Sequence, residues 1–385
     1  MATVSREFQV FAKPVGPLCN LRCNYCYYLG KKNLYKGKDQ YLMPDDILEK
    51  YIIQHIEATT ETEISFSWHG GEPLMAGIDF FRKVIGYQKK HQPPGSVITN
   101  GIQTNGTLIN AEWARFLTAN GFVVGISIDG PAEFHNWHRK ASNYEGTFRR
   151  VIIGYELLRK HGLVPEILCI VNAENVRHPI DVYELFRKLG AEFITFIPLV
   201  EPEPFSPNGV SIRSVPSGEF GVFLSAIFDE WVEKDIGRVK IQIFEEAART
   251  AFNQDHSLCI FKTNCGGVPV IEHNGDFYSC DHYVSKEYLV GNIKDHTLAA
   301  MLDSSFQVAF GEAKSLTLPR YCLECEVKNM CNGECPKNRF ISTPDGEPGL
   351  NYLCSGYKYF FNHCRPFVEA IREAWLKKYL YPLQR

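Results

Sequence analysis

The sequence predicts an α/β protein in which parallel strand–helix units come first and a small cysteine-rich part follows. Three observations lead there. Between residues 8 and 200, short β-type stretches alternate with helical stretches nearly six times over, the pattern of parallel βαβ units. Polar or glycine-rich motifs stand at the C-terminal ends of several of those strands. A doubly wound sheet and a barrel both fit the alternation, and motifs gathered at one rim favour the barrel. Finally, the 13 cysteines fall in two clusters, Cys19 to Cys26 and Cys259 to Cys364, with only Cys169 between them.

Taken in order, residues 8–16 (Phe-Gln-Val-Phe-Ala-Lys-Pro-Val-Gly) read as a first strand ending before the cysteine loop. A basic loop spans 31–38. Residues 44–58 read as a helix, because Pro44-Asp45-Asp46 suits a first turn and Leu48, Ile52 and Ile56 recur at i, i+4. A strand at 63–68 leads into His69-Gly70-Gly71-Glu72-Pro73, and a helix follows at 78–90. Strand 97–103 precedes Thr104-Asn105-Gly106. Helix 110–120 has Asn110 as N-cap candidate and Gly121 at its end. Strand 123–128 leads to Asp129-Gly130, and a long loop carries His135, His138 and Arg139. Helix 147–161, strand 166–171, helix 176–189 and strand 193–200 complete the alternation. Three prolines in 201–209 close it, and helices at 216–234 and 241–254 bridge to the second cysteine cluster.

The totals narrow the class. A chain of 385 residues, 45% hydrophobic and 22% charged, can bury an ample core in two domains or one large one. A net charge of −3 gives no reason to expect nucleic acid or an anionic membrane as partner. No run of about 18 apolar residues exists to span a bilayer. Met1 to Phe8 has no apolar core of a signal peptide, so a cytoplasmic protein is expected. The clustering and the odd number of cysteines favour metal sites in a reducing compartment over a disulfide scaffold.

The first cluster is Cys19-x3-Cys23-x2-Cys26. Thiolates are soft ligands that suit iron–sulfur clusters, zinc or copper(I). With three thiols and no nearby histidine, a closed four-ligand structural site is not expected. Three ligands on a four-iron cluster leave one iron open, as a catalytic zinc keeps one position free. The second set runs Cys259-x5-Cys265-x9-Gly275-x4-Cys280, then Cys322-x2-Cys325-x5-Cys331-x3-Cys335, then Cys354. Eight thiols suffice for two four-cysteine sites. The stretch 322–335 holds too little core to stand without a metal. Zinc and iron–sulfur fit these spacings equally, so a zinc-ribbon binding or regulatory protein is the rival reading at this point.

The first cluster resembles the signature of the radical S-adenosylmethionine (SAM) enzymes, and the second resembles the SPASM domain with its Gly-x4-Cys. The chain looks most like the anaerobic sulfatase-maturating family. Further motifs that carry the likeness are Ala12-Lys13-Pro14-Val15-Gly16, Cys26-Tyr27-Tyr28, His69-Gly70-Gly71-Glu72-Pro73, Gln103 to Leu108, Ser127-Ile128-Asp129-Gly130 and Cys280-Asp281. This resemblance implies a partial (β/α)6 TIM-type barrel over 1–235. It implies a SPASM domain over 236–385, with a bridging helix and a C-terminal helix. It also implies SAM and three [4Fe–4S] clusters: one on Cys19, Cys23 and Cys26, one on Cys259, Cys265, Cys280 and Cys335, and one on Cys322, Cys325, Cys331 and Cys354. Cys169 reads as a small core residue, and Cys364 competes with Cys354 for the last ligand place.

The family's activity is oxidation of a sulfatase Cys or Ser, within Cys/Ser-x-Pro/Ala-x-Arg, to Cα-formylglycine. The resemblance implies roles for residues that could otherwise be ordinary turns, caps or packing. Tyr25 would contact the SAM adenine, and Gly70, Gly71 and Glu72 would cradle its methionine ammonium. Ser127 and Leu199 would be further contacts, and Arg139 a partner for the SAM carboxylate. His135-Asn136 stands where relatives often have His-Asp. His69, the one group here that titrates near neutrality in its ordinary state, and Tyr28 would touch substrate or only pack. Asp281, beside Cys280, would be the base, since an ordinary Asp is ionised at neutral pH. Expected partners are an unfolded or nascent sulfatase polypeptide and a flavodoxin or ferredoxin type electron donor; the protein is expected to be a monomer. The alternative within the superfamily is another SPASM peptide maturase, forming thioethers or cross-links. Those commonly carry an extra N-terminal recognition domain, and with the first cysteine at residue 19 none is expected here.

Overall fold

The structure is a computed structural model that describes residues 7–35, 41–207 and 209–379. Residues 1–6, read above for a targeting signal, and 36–40 of the basic loop lie outside the described residues. The strands are β1 Phe11–Lys13, β2 Glu63–Trp68, β3 Val97–Thr104, β4 Phe122–Ser127, β5 Glu166–Val171, β6 Phe193–Pro198, β7 Lys240–Ile241, β8 Val270–Glu272, β9 Asp276–Tyr278 and β10 Leu289–Asn292. The chain forms two compact units. One runs to Ile128 and includes Ala132–Ile167 and Cys265–Glu312; the other comprises Asp129–Pro131, Leu168–Asn264 and the chain from Ala313.

In the first unit the strand order is β10-β9-β8-β1-β2-β3-β4. Strands β1 to β4 are parallel to their neighbours, with Phe11 opposite Ser67, Ile64 opposite Ile98 and Ile102 opposite Val124. The helices Asp45–Ala58, Ile78–His91 and Ala111–Ala119 separate these strands in sequence. A late segment completes the sheet. β8 pairs in parallel with β1, setting Lys13 beside Glu272, and β9 and β10 extend it antiparallel. This division crosses the boundary expected near residue 235, because 265–312 is built into the first unit. Trp68, Phe66, Tyr51 and Phe81 are fully buried in the core of this unit, their rings meeting edge to face or stacked.

In the second unit β6 and β7 are parallel, and the helices Pro179–Leu189, Ser217–Lys234 and Gln242–Ala251 come from the α/β stretch. The helix Cys354–Tyr379 packs along Ser217–Lys234, with Ser217 and Ser355 hydroxyls 2.6 Å apart.

Three expectations about elements are corrected. The first strand is three residues long rather than nine, because the chain turns at once: Gly16 N donates to Lys13 O, and Gly16 has φ +50°. The stretch with His135 and His138 is a short helix, Ala132–His138. The helix expected over 176–189 begins as a 3-10 turn, Asn175–Arg177, and starts afresh at Pro179, whose ring is at home in a first helical turn.

Candidate active site and cluster sites

The cysteine loop in the first unit is fixed from several sides. Leu18 N donates to Val15 O, Arg22 N to Lys140 O and Asn24 N to His138 O. Asn20 accepts from Asn105 Nδ2 (2.9 Å) and donates to Thr107 (2.9 Å). The Cys19 sulfur accepts from Leu21 N at 3.3 Å and faces Asn105 Nδ2 at 3.8 Å. Burial pushes the Cys19 thiol up to about 12, with Glu72, Cys23 and Cys26 adding to the effect, so the three thiols are neighbours. A reactive free cysteine is held in the opposite condition, with its thiolate favoured. Three soft sulfur donors on one loop, once deprotonated, are the ligand type that an iron–sulfur cluster takes.

The turn after β2 lies against this loop. Gly71 N donates to Gly16 O and Glu72 N to Leu18 O, both at 2.8 Å. A Cβ at Gly71 would stand 2.0 Å from the Leu18 carbonyl oxygen, and Gly70 has φ +133°, so both positions call for glycine. Glu72 is fully buried, and its carboxylate points at protein donors: Leu74 N (3.0 Å), Thr104 Oγ1 (2.7 Å) and Asn105 N (2.8 Å). Burial raises its pKa to about 7 against the pull of those donors. Among the residues expected to meet SAM, Tyr25 and Arg139 are together, the guanidinium 5.5 Å from the ring centroid. Ser127 Oγ accepts from Gln103 Nε2 at 3.1 Å. Leu199 lies in the second unit, where it is buried and its N–H donates to Val171 O; Asp129, in the same unit, accepts from Ile170 N at 3.0 Å.

Asp281 stands at the start of a 3-10 turn directly after Cys280. Its carboxylate meets Lys13 Nζ at 2.5 Å and accepts from the Tyr27 hydroxyl at 2.5 Å. Burial alone would raise its pKa. Lys13, His282 and the hydrogen bonds from Lys13 and Tyr27 outweigh that and hold the carboxyl well below the usual range. His69 stacks on Phe11 at 4.0 Å, and burial followed by Lys13 pushes its pKa down to about 3. That environment favours the neutral imidazole. Tyr28 is buried, with its hydroxyl on Glu272, whereas Tyr27 is half exposed and reaches Asp281. Lys13, Tyr27 and Glu272 are the site groups that sequence reasoning passed over. Lys13 lay within a quoted motif, but nothing local tied it to Asp281.

In the second unit Cys322, Cys325, Cys331 and Cys354 line one cavity, along with Tyr321, Lys358 and other neighbours. Burial raises all four thiols, Cys354 to about 11. Four soft sulfur donors around one cavity are the ligand type of a centre that takes thiolates. Cys364 is fully buried with its sulfur 3.6 Å from Phe361 O, and it does not line that cavity. Cys335 is buried, which pushes its thiol up, with Glu334 adding to the effect. Cys265 and Cys280 belong to the first unit. Cys169 is fully buried in β5.

Two family profiles match the chain: the radical SAM superfamily over residues 14–186, and an iron–sulfur cluster-binding domain, SPASM, over 264–326. The protein is therefore a radical SAM enzyme with an auxiliary iron–sulfur part. A serine-type anaerobic sulfatase-maturating enzyme of Bacteroides thetaiotaomicron is 42% identical over 97% of this chain and 93% of its own length. A cysteine-type one of Clostridium perfringens is 33% identical over 92% of this chain and 95% of its own length. The chain belongs to the anaerobic sulfatase-maturating enzymes. Among solved structures, native anSMEcpe with bound AdoMet and Kp18Cys peptide matches with TM-score 0.86 at 32% identity, covering 96% of this chain and 100% of that one. SuiB of Streptococcus suis bound to S-adenosylmethionine shares the fold, with TM-score 0.62 at 15% identity over 87% of this chain and 74% of that one. The fold class is thus the partial α/β barrel with a SPASM part, its cofactors are SAM and [4Fe–4S] clusters, and a count of three clusters fits the subclass. With an iron–sulfur family matched, the zinc-ribbon alternative loses its support.

Proposed function

We propose that this enzyme oxidises one Cys or Ser side chain of a sulfatase, within a Cys/Ser-x-Pro/Ala-x-Arg segment of an unfolded or nascent chain, to Cα-formylglycine. Full-length likeness to both serine-type and cysteine-type enzymes supports the substrate class. The observation that carries the chemistry is the Asp281 carboxylate, held by Lys13 and Tyr27 and next in the chain to Cys280. When bound, SAM and the clusters would supply a hydrogen-atom acceptor for Cβ, the 5′-deoxyadenosyl radical, and an acceptor for the second electron. A Ser side chain then reaches the aldehyde directly, and a Cys side chain reaches the thioaldehyde, which water converts to the aldehyde with release of hydrogen sulfide. Asp281 accepts the proton lost from the substrate side chain, a task for which a carboxylate must be charged and within reach. Gly70 and Gly71 shape the SAM cradle. Glu72 holds that cradle by bonding the 74 and 104–105 backbone and side chains, while Tyr25, Arg139, Ser127 and Leu199 meet SAM. His69 and Tyr28 line the substrate side. The cluster ligand sets are the three named above, with Cys354 rather than Cys364 as the last. A cytoplasmic location, a monomeric state and a flavodoxin or ferredoxin type donor belong to the same proposal.

The test is Asp281→Asn, which keeps size and one acceptor oxygen. It should still form 5′-deoxyadenosine but make formylglycine about 10² more slowly, the usual scale for a lost general base. Chromatography of 5′-deoxyadenosine and mass spectrometry of two peptides, differing only in Cys or Ser, read both. Peptide oxidation at the normal rate would show that the base lies elsewhere.

A further inference from the structure

Lys13 is a buried ammonium, 2% exposed, and such a charge is retained only where it is paired. Two carboxylates are near it. Glu272 is its neighbour by strand register, but the Glu272 side chain is already engaged by the Tyr28 hydroxyl and faces His273 Nδ1 at 3.5 Å. The ammonium instead meets Asp281 at 2.5 Å. It is steadied from below by the Tyr28 ring, whose centroid is 4.6 Å from Nζ. β1 thus delivers a fixed cation to a carboxylate that also accepts from the hydroxyl of half-exposed Tyr27.

We infer that Lys13 is a positioning residue for the reaction: it holds the Asp281 carboxylate in one orientation, with the Tyr28 ring bracing the ammonium. The inference rests on the reading of Asp281 as the proton acceptor. It places no group of Lys13 on the substrate or on SAM. Removing the ammonium lets the Asp281 side chain turn with Tyr27, and the proton of the substrate then lacks a fixed destination.

The experiment compares Lys13→Met, Lys13→Gln and Lys13→Arg with Asp281→Asn and with the Lys13→Met/Asp281→Asn double variant. Three quantities are read: formylglycine formed per 5′-deoxyadenosine, peptide affinity, and the Asp281 conformation in a crystal structure of Lys13→Met. Lys13→Met should form 5′-deoxyadenosine and bind peptide as the unaltered enzyme does, yet yield formylglycine per cleavage about tenfold less, a smaller loss than the roughly 10²-fold or more for removing the base itself. Asp281 should be displaced or in several conformers. Lys13→Arg should recover most of the coupling. Lys13→Gln, which keeps a donor without the charge, should behave as Lys13→Met does, and it stands in for that variant if the latter does not fold. The double variant should be no worse than Asp281→Asn alone, since two residues acting as one unit are not additive. Normal coupling in Lys13→Met and Lys13→Gln, or losses that multiply in the double variant, would overturn the inference alone. Normal turnover in Asp281→Asn would overturn the reading of Asp281 and the inference with it.

Discussion

Glu72 is a buried carboxylate whose hydrogen bonds all go to the protein around it. Its two oxygens are spent on three protein donors, and burial keeps its pKa near 7. In Glu72→Gln one of those oxygens becomes an amide that confronts the Asn105 or the Leu74 N–H, donor against donor. The expected loss of stability is about 1–3 kcal/mol, the cost of an unsatisfied buried group, read by denaturation of the metal-free protein. A loss near zero would mean that the cradle tolerates the change and that the carboxylate matters for its charge. The two cysteines competing for one ligand place can be separated in the same way. Cys354→Ala should lower the iron content by about four per chain, one cubane, and Cys364→Ala should leave it unchanged. The short cysteine motifs were legible in the sequence because their spacing is local, Cys19-x3-Cys23-x2-Cys26 and Cys322-x2-Cys325-x5-Cys331. Tyr27 and Asp281, 254 positions apart, were not, because only the pairing of β1 with β8 brings them together.

Elements with strong local signals were read closely. Strand Glu63–Trp68 and strand Glu166–Val171 fall on the residues expected, and helix Ala111–Ala119 has Asn110 as its cap, accepting from Trp113 N at 2.9 Å. Asn110→Ala should cost about 1 kcal/mol, visible as a lower unfolding midpoint, because it strips an acceptor from a helix start that has no other. Asn110→Ser should lose far less. The misread elements have physical causes. Ala132–His138 is only seven residues long, too short for a helical period to show in the sequence. The first strand looked longer because Phe8 and Val10 continue its alternation, yet pairing with β2 and β8 involves only Phe11 to Lys13.

For the whole molecule, the anaerobically reconstituted protein should hold about twelve irons per chain, four for each of three cubanes, and iron near four with stoichiometric zinc would contradict that count. Among the described residues no helix is long and apolar enough to cross a membrane. The alternation of strands and helices foretold the first unit up to β4, but not that residues 265–312 complete its sheet. A chain cut after residue 235 lacks β8, β9 and β10 and leaves one edge of β1 unpaired. Expressed by itself it should aggregate, as measured by the soluble fraction after lysis, whereas recovery of soluble, compact protein would show that β8 is dispensable.

The same pairing sets a timetable for the chain as it is made. β1 leaves the ribosome among the first residues, and its β8 partner follows more than half the chain later. At roughly 5–20 residues per second, the wait is on the order of ten seconds or more. Throughout that interval the strand next to the first cysteine loop offers free backbone donors and acceptors to any passing chain. Newly synthesised enzyme therefore needs that edge shielded until Val270–Glu272 arrive, and iron delivery to Cys19, Cys23 and Cys26 before then would load a loop whose foundation strand is not yet in its final sheet.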